Sequence, residues 1–134
     1  MLLLLGLERL SIQVKKGLTM RIGKFDIPLL GGCRFEVYNT VTEIGFKEED
    51  NVKCGCEYDY TTRLMKIGFD FNKHWWHGGI AHECLHATHR VFDILGVKPS
   101  YENDELECYT LEYVVDKVTE IVLKYEKKGN KDGV

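Results

Sequence analysis

The second half of the chain carries an apolar spacing that a helix can bury along one side. The residues that recur at steps of four and three are Ala81, Leu85, Thr88, Phe92 and Leu95. This spacing predicts a helix over 80–95 with one mostly apolar stripe. Gly96 just past its end and Pro99 beyond it are typical of a helix C-terminus.

A second, longer helix is predicted to begin at a cap provided by Asn103 or Asp104 and to end at about Lys127. The stripe that we expect it to bury comprises Leu111, Val114, Val118, Ile121 and Tyr125. The loop 97–101 allows this helix to return antiparallel to the first. The second half of the chain is therefore predicted to be a helical pair.

The first half of the chain has the composition of β-strands. Segments 34–41, 52–60 and 63–71 are rich in β-prone side chains. Thr61-Thr62 is expected to form a hairpin turn, and Gly31-Gly32 a turn before the first strand. A small N-terminal β-sheet followed by two main helices is an α+β fold.

Length and charge limit the organisation and the partners. At 134 residues the chain is expected to form one domain. Its net charge of −3 argues against general attraction to nucleic acid or to anionic membranes. We predict an N-terminal extension over 1–19, a domain over 20–127 and a flexible tail over 128–134. An alternative reading is that the extension is not translated natively and that translation starts at Met20, because Lys15-Lys16-Gly17 implies a purine-rich stretch upstream of the Met20 codon.

The chain has five cysteines, an odd number that cannot all pair in disulfides. Their spacing is not typical of a secreted disulfide scaffold. This usage favours a reducing cytoplasm. Cys54-Gly55-Cys56 resembles half of a metal clip, but no second pair follows, so two reduced cysteines on one strand face are expected. No segment approaches the ~20 apolar residues of a membrane span.

The segment His82-Glu83-Cys84-Leu85-His86 has the spacing of a helical metal site. Residues four apart lie one turn apart on the same face, so both imidazoles can bind one ion. His89 shares that face, but it lies ~10 Å along the helix axis from His82, too far for the three to surround one ion. Other candidates for a third ligand are Glu102, Glu105 and Glu107, on or just before the next helix.

This pattern resembles the gluzincin branch of the zinc peptidases, in which a helix with the HExxH motif is followed by a ligand glutamate on the next helix. Glu105 follows His86 by 19 residues, which is similar to that family's spacing. The run 103–109 and the stretch 25–32 further resemble small phage-encoded metallopeptidase-like proteins. The resemblance implies a minimal zincin-like core that binds Zn2+ through His82, His86 and Glu105, with Glu83 polarising the bound water.

Two features depart from the family, and two more extend the comparison. Tyr109 stands where larger gluzincins have an aspartate that orients the first histidine, and the chain is too short for a second catalytic lobe. Trp75-Trp76 are expected to pack the loop that enters the first helix. The strand over 66–70 is expected to be the edge strand that pairs with substrate.

The predicted function is hydrolysis of a peptide bond in a peptide or protein substrate through a zinc-bound water, with Glu83 as general base. The alternative is a non-catalytic zinc-binding phage accessory protein that binds a host protein. A third possibility, an interaction domain without metal, requires both histidines to be unliganded. The expected location is the cytoplasm, that of the host bacterium if a phage encodes the chain.

Overall fold

The computed structural model describes residues 20–28, 33–102 and 104–132. The strands are β1 (Arg21–Ile27), β2 (Cys33–Tyr38), β3 (Cys54–Asp59) and β4 (Leu64–Phe69), and the helices are α1 (Gly78–Leu95) and α2 (Glu105–Asp132). Two short 3₁₀ turns, Thr42–Ile44 and Glu48–Asp50, lie between β2 and β3. The predicted α+β fold, a small sheet followed by two helices, is confirmed.

The four strands form one sheet in the order β1-β2-β4-β3. β1 pairs antiparallel with β2, β2 pairs parallel with β4, and β3 pairs antiparallel with β4. The prediction that the strand over 66–70 lies at the edge of the sheet is therefore wrong, because β4 is central and β3 is the edge strand. One face of β4 is buried through Met65, Ile67 and Phe69, whereas Leu64 and Lys66 on the other face are half-buried.

Three strands lie where the sequence predicts them, and β1 was missed. Arg21–Ile27 mixes charged and apolar residues, and its hydrogen bonds to β2 rather than its own composition hold it in the sheet. The hairpin turn between β3 and β4 is confirmed: the Asp59 side chain accepts hydrogen bonds from the backbone N–H groups of Thr61 and Thr62. The predicted extension 1–19 and the Gly31-Gly32 turn lie outside the described residues.

The start and end of α1 agree with the sequence signals to within two residues. Gly96 adopts the left-handed conformation at φ 72° and donates to the carbonyls of Asp93 and Phe92, which closes the helix. The predicted stripe is wrong, because Leu85 and Leu95 are each 41% exposed. The buried face instead comprises Ile80, Glu83, Cys84, Ala87, Thr88, Val91 and Phe92. Both stripes satisfy helical spacing, and packing against the sheet selects the second.

The stripe predicted for α2 faces the core. Val114 and Val118 are fully buried, and Val122 adds a further turn to the same face. The helix runs to Asp132, so the predicted boundary at residue 128 does not coincide with its end. The predicted cap at Asn103 lies outside the described residues. Neither helix in the described part of the chain is long and apolar enough to cross a membrane.

The core is one layer between the sheet and the helices. Phe35, Val37, Met65, Ile67 and Phe69 of β2 and β4 are fully buried beneath both helices. α1 contacts β3, whereas α2 contacts β1. Trp75 packs against Phe69 with a ring separation of 4.8 Å, in agreement with the expected packing role, while Trp76 is 76% exposed. This arrangement leaves α1 beside the edge strand.

Candidate metal centre

The early turns of α1 bring together three potential ligands. His82, Glu83 and His86 each present a ligand atom within 4.8 Å of the others. The two imidazole centroids lie 4.9 Å apart with their planes at 75°. This proximity follows from the helix, because residues four apart stand one above the other.

The two histidines lie beside the buried face of α1, and Glu83 lies on it. The His82 side chain is 66% exposed, whereas Glu83 as a residue is 7% exposed. The nearest charged contact of Glu83 among the described residues is the one between its Oε2 and His82 Nε2, at 3.9 Å. Glu83 is therefore a largely desolvated carboxylate without a close ion pair.

The three side chains open on a cleft between α1 and the edge strand β3. The cleft has a volume of about 350 Å³. α1 contributes His82, Glu83, His86 and Arg90 to its lining, and β3 contributes Cys54, Cys56, Glu57 and Tyr58. The sequence prediction had assigned no role in this site to Arg90, although its position four residues after His86 places it on the same helical face.

Cys54 and Cys56 project from β3 towards α1. Gly55 between them faces the other way, since a Cβ on Gly55 would lie 2.5 Å from the Phe46 ring. On the α1 side, a Cβ on Gly79 would lie 3.0 Å from Cys54 Sγ. Both thiols are free. The prediction of two reduced cysteines on one strand face agrees with this placement.

Burial controls the charge of the groups in the cleft. It raises the pKa of Glu83 above its usual range, although His82 and His86 oppose the shift. Burial, followed by the charge of Glu83, raises the pKa of both Cys54 and Cys56 to about 12. The metal-free cleft therefore holds protonated thiols at neutral pH, and a bound cation would favour the charged forms of these groups.

Glu105 lies elsewhere, in the first turn of α2. Together with Asp104 and Cys108 it forms a second group of potential ligands whose atoms lie within 4.8 Å of one another, all on exposed residues. Glu105 is not a member of the group formed by His82, Glu83 and His86. Its role as a zinc ligand stays a prediction.

A different glutamate of α2 faces α1. Glu107 Oε2 lies 2.8 Å from His89 Nε2, and the Glu107 side chain is only 21% exposed. The sequence analysis had considered both residues as candidates for the third ligand, and nothing in the spacing predicts their pairing. Because Glu107 engages His89, this contact connects the two helices beside the cleft.

Four further histidine and tyrosine side chains lie away from the cleft lining. His77 Nε2 is 3.2 Å from Glu126 near the end of α2. The His74 ring packs edge-on against Trp76. Tyr101 and Tyr109 are exposed. None of these four residues lines the cleft.

Comparisons of the chain with protein-family models, with curated proteins and with solved structures found no match. The resemblance to zinc peptidases therefore rests on the sequence patterns alone.

Proposed function

We propose that the chain is a zinc-dependent hydrolase of peptide bonds whose metal binds at His82 and His86. The observation that carries this proposal is the cluster of His82, Glu83 and His86 within 4.8 Å, opening on a cleft beside an edge strand. Two imidazoles four residues apart on one helix are the zinc-binding pair of HExxH hydrolytic sites, in which the glutamate between them is the general base.

The donor atoms fit Zn2+ by their chemistry. Imidazole nitrogens at i and i+4 are common zinc ligands, and the exposed rings can adjust to tetrahedral geometry. The largely desolvated Glu83 carboxylate has no closer ionic partner among the described residues than His82 at 3.9 Å. A cation between the imidazoles would offset the free-energy cost of burying that charge.

The residues then have distinct roles. His82 and His86 hold the ion, whereas Glu105, the third ligand that the gluzincin resemblance implies, lies outside the group that they form with Glu83. Zinc, when bound, supplies Lewis-acid polarisation of the scissile carbonyl and acidifies water. Glu83 accepts the proton of the attacking water and delivers it to the leaving amine. Burial raises the pKa of Glu83 in the metal-free cleft, which makes its carboxylate a stronger proton acceptor.

The edge strand supports the choice of a peptide substrate. β3 pairs with β4 on one side, and no described strand pairs with its other side. An extended peptide can add to such an edge through backbone hydrogen bonds, and the cleft residues would then contact alternate side chains. We place the protein in the cytoplasm on the basis of its free cysteines.

The test is the variant Glu83→Gln, which keeps the shape of the side chain and removes the base. We expect unchanged zinc content and a loss of peptide hydrolysis of roughly 10²–10⁴-fold, the usual contribution of a general base. Glu57→Gln is the matched control, because Glu57 is an exposed carboxylate that lines the same cleft. Loss of zinc from Glu83→Gln, or equal loss of hydrolysis in both variants, would contradict the assignment.

The second candidate is a non-catalytic zinc-binding phage accessory protein that binds a host protein. The burial of Glu83, at 7% exposed, favours it, because a base must reach a water molecule in the cleft. Wild-type protein that retains zinc at His82 and His86 but hydrolyses no member of a diverse peptide library would support this candidate over the first.

A further inference from the structure

Two histidines do not complete a zinc site, and the helices offer no third ligand close to both. A zinc site in a protein has three or four protein ligands. Among the described residues, Glu83 alone lies within 4.8 Å of both imidazoles, and the proposed reaction uses it as a base. His89 contacts Glu107 at 2.8 Å. The opposite wall of the cleft is therefore the remaining source of a third ligand.

The edge strand β3 runs alongside α1 in the same direction. At one end, Cys54 Sγ lies 3.0 Å from the Cβ position of Gly79. At the other end, Arg90 Nη1 lies 3.4 Å from the hydroxyl of Tyr60, just past β3. The six residue steps from 54 to 60 cover ~20 Å along the strand, and the eleven steps from 79 to 90 cover ~16 Å along the helix. The two segments are therefore similar in length and lie side by side.

This register sets the height of each thiol against the helix. Cys54 is level with the first turn of α1, beside Gly79. Cys56 lies ~6.6 Å further along the strand, which corresponds to about four helical residues and is level with Glu83. In agreement with this register, the charges of Glu83 and Cys84 both raise the pKa of the Cys56 thiol. The charge of Arg90, from further along the helix, lowers it.

The space between the two imidazoles lies at the same height. Helical side chains lean towards the N-terminus, so the rings of His82 and His86 cover the turn before their own Cα atoms. The position between them is therefore level with Glu83 and faces Cys56 across the cleft. As it stands, the Cys56 thiol does not belong to the group of ligand atoms that lie within 4.8 Å of one another around the imidazoles. It contacts Met65 Sδ at 3.7 Å, a weak interaction that rotation about the Cα–Cβ bond would release.

We propose that Cys56 on the edge strand is the third zinc ligand, together with His82 and His86. Thiolate sulfur is a soft ligand that Zn2+ binds tightly, and two imidazoles with one thiolate leave a fourth position open to the cleft. On binding, the S–H bond breaks, a Zn–S bond forms and the proton passes to solvent. This inference rests on the zinc site of the proposed function and replaces Glu105 as its third ligand.

The test is cobalt substitution followed by absorption spectroscopy of the full chain. Co2+ bound to a thiolate produces a near-ultraviolet charge-transfer band that imidazole and carboxylate ligands do not produce. We expect the band in the wild type and in Cys54→Ser, Cys108→Ser and Glu105→Gln. We expect it to be absent in both Cys56→Ser and Cys56→Ala, with circular dichroism showing that the fold is retained.

Zinc affinity provides a second readout that does not depend on catalysis. Cys56→Ser should weaken zinc binding by more than the ~10–100-fold that loss of a group orienting a metal ligand costs. Glu105→Gln should leave zinc binding within a few-fold. If the band survives in folded Cys56→Ser, or disappears in Cys108→Ser or in Cys54→Ser instead, the assignment of Cys56 is overturned.

Failure of this inference can be told apart from failure of the proposed function. Visible cobalt bands that depend on His82 and His86, without any charge-transfer band, would overturn the sulfur ligand and leave the histidine site intact. Absence of all cobalt bands in the wild type would overturn both. A charge-transfer band in a protein that hydrolyses no peptide would support Cys56 as a ligand and overturn the proposed hydrolase activity.

Discussion

The described part of the chain contains two groups that each bring three potential ligand atoms within 4.8 Å of one another, and the two groups differ in their surroundings. The cleft group consists of His82, Glu83 and His86. The helix-start group consists of Asp104, Glu105 and Cys108, all three on exposed residues around the first turn of α2. The cleft group faces a second element, the edge strand β3, and buries Glu83.

This difference shows that proximity of potential ligand atoms alone does not make a metal site. Acidic residues at the start of a helix are explained by the helix dipole, which favours negative charge there. No such local explanation accounts for the cleft group, because burying Glu83 costs free energy that its 3.9 Å contact with His82 does not offset well. A site is distinguished by donors that are partly desolvated and held between elements.

Chelation should produce the largest difference between the two groups. If zinc bridges α1 and β3, its removal lowers the free energy of unfolding by about 4 kcal/mol at a zinc concentration a thousandfold above Kd. For a domain of this size, that is roughly 15 °C in melting temperature. Thermal unfolding with and without a strong chelator measures the shift.

The controls for chelation are one double variant in each group. The shift should disappear in His82→Ala/His86→Ala and persist in Glu105→Gln/Cys108→Ser. If the chelation-induced shift in melting temperature disappears only in the second variant, the metal binds at the helix-start group and not in the cleft.

A smaller effect is expected from the charge of Glu83 in metal-free protein. Burial raises the pKa of Glu83 in the folded state, so the folded state holds a proton that the unfolded state has released. Stability therefore falls as the pH rises from the unfolded pKa of ~4.3 through the folded pKa. Glu83→Gln should melt at a higher temperature than the wild type at neutral pH, and the gap should close in acid.

Glu105→Gln is the matched carboxylate for this comparison, since Glu105 is exposed. Its melting temperature in metal-free protein should not exceed that of the wild type at any pH, because the helix dipole favours the charge of Glu105. A gain in Glu105→Gln that equals the gain in Glu83→Gln would mean that net charge, rather than burial in the cleft, causes the effect.

The smallest effect concerns the contact between β3 and the start of α1. Gly79→Ala places a Cβ 3.0 Å from Cys54 Sγ and should displace the strand by a few tenths of an ångström. We expect zinc affinity to fall several-fold. Gly78→Ala has no atom within 4 Å of the new Cβ and should leave affinity unchanged while stabilising the helix by up to ~1 kcal/mol. Isothermal titration with zinc measures both variants, and equal affinities would contradict the close approach.

The sequence predicted the fold well where local signals agree with packing. The left-handed Gly96 ends α1, and the apolar stripe of α2 faces the core, as expected. β1 was missed because pairing with β2 stabilises it, and pairing partners are not visible in local composition. The buried stripe of α1 was misassigned because two stripes satisfy the same spacing, and only contact with the sheet distinguishes them.

The candidate site was predictable to the extent that one helix contains it. The spacing of His82 and His86 directly implies their proximity, and the structure brings them together with Glu83. The cleft wall was not predictable, because β4 was taken for the edge strand that β3 turns out to be. Without that topology, Cys54 and Cys56 could not be placed opposite the histidines, and Glu105 was chosen on family spacing.

The most direct test of the metal centre is the zinc content of the full chain compared with that of His82→Ala/His86→Ala. Both proteins are saturated with zinc, freed of weakly bound metal and measured by elemental analysis. The account predicts one tightly bound zinc per chain in the wild type and none in the double variant. Zinc retained by the double variant, or no tightly bound zinc in the wild type, would contradict a metal site at the cleft.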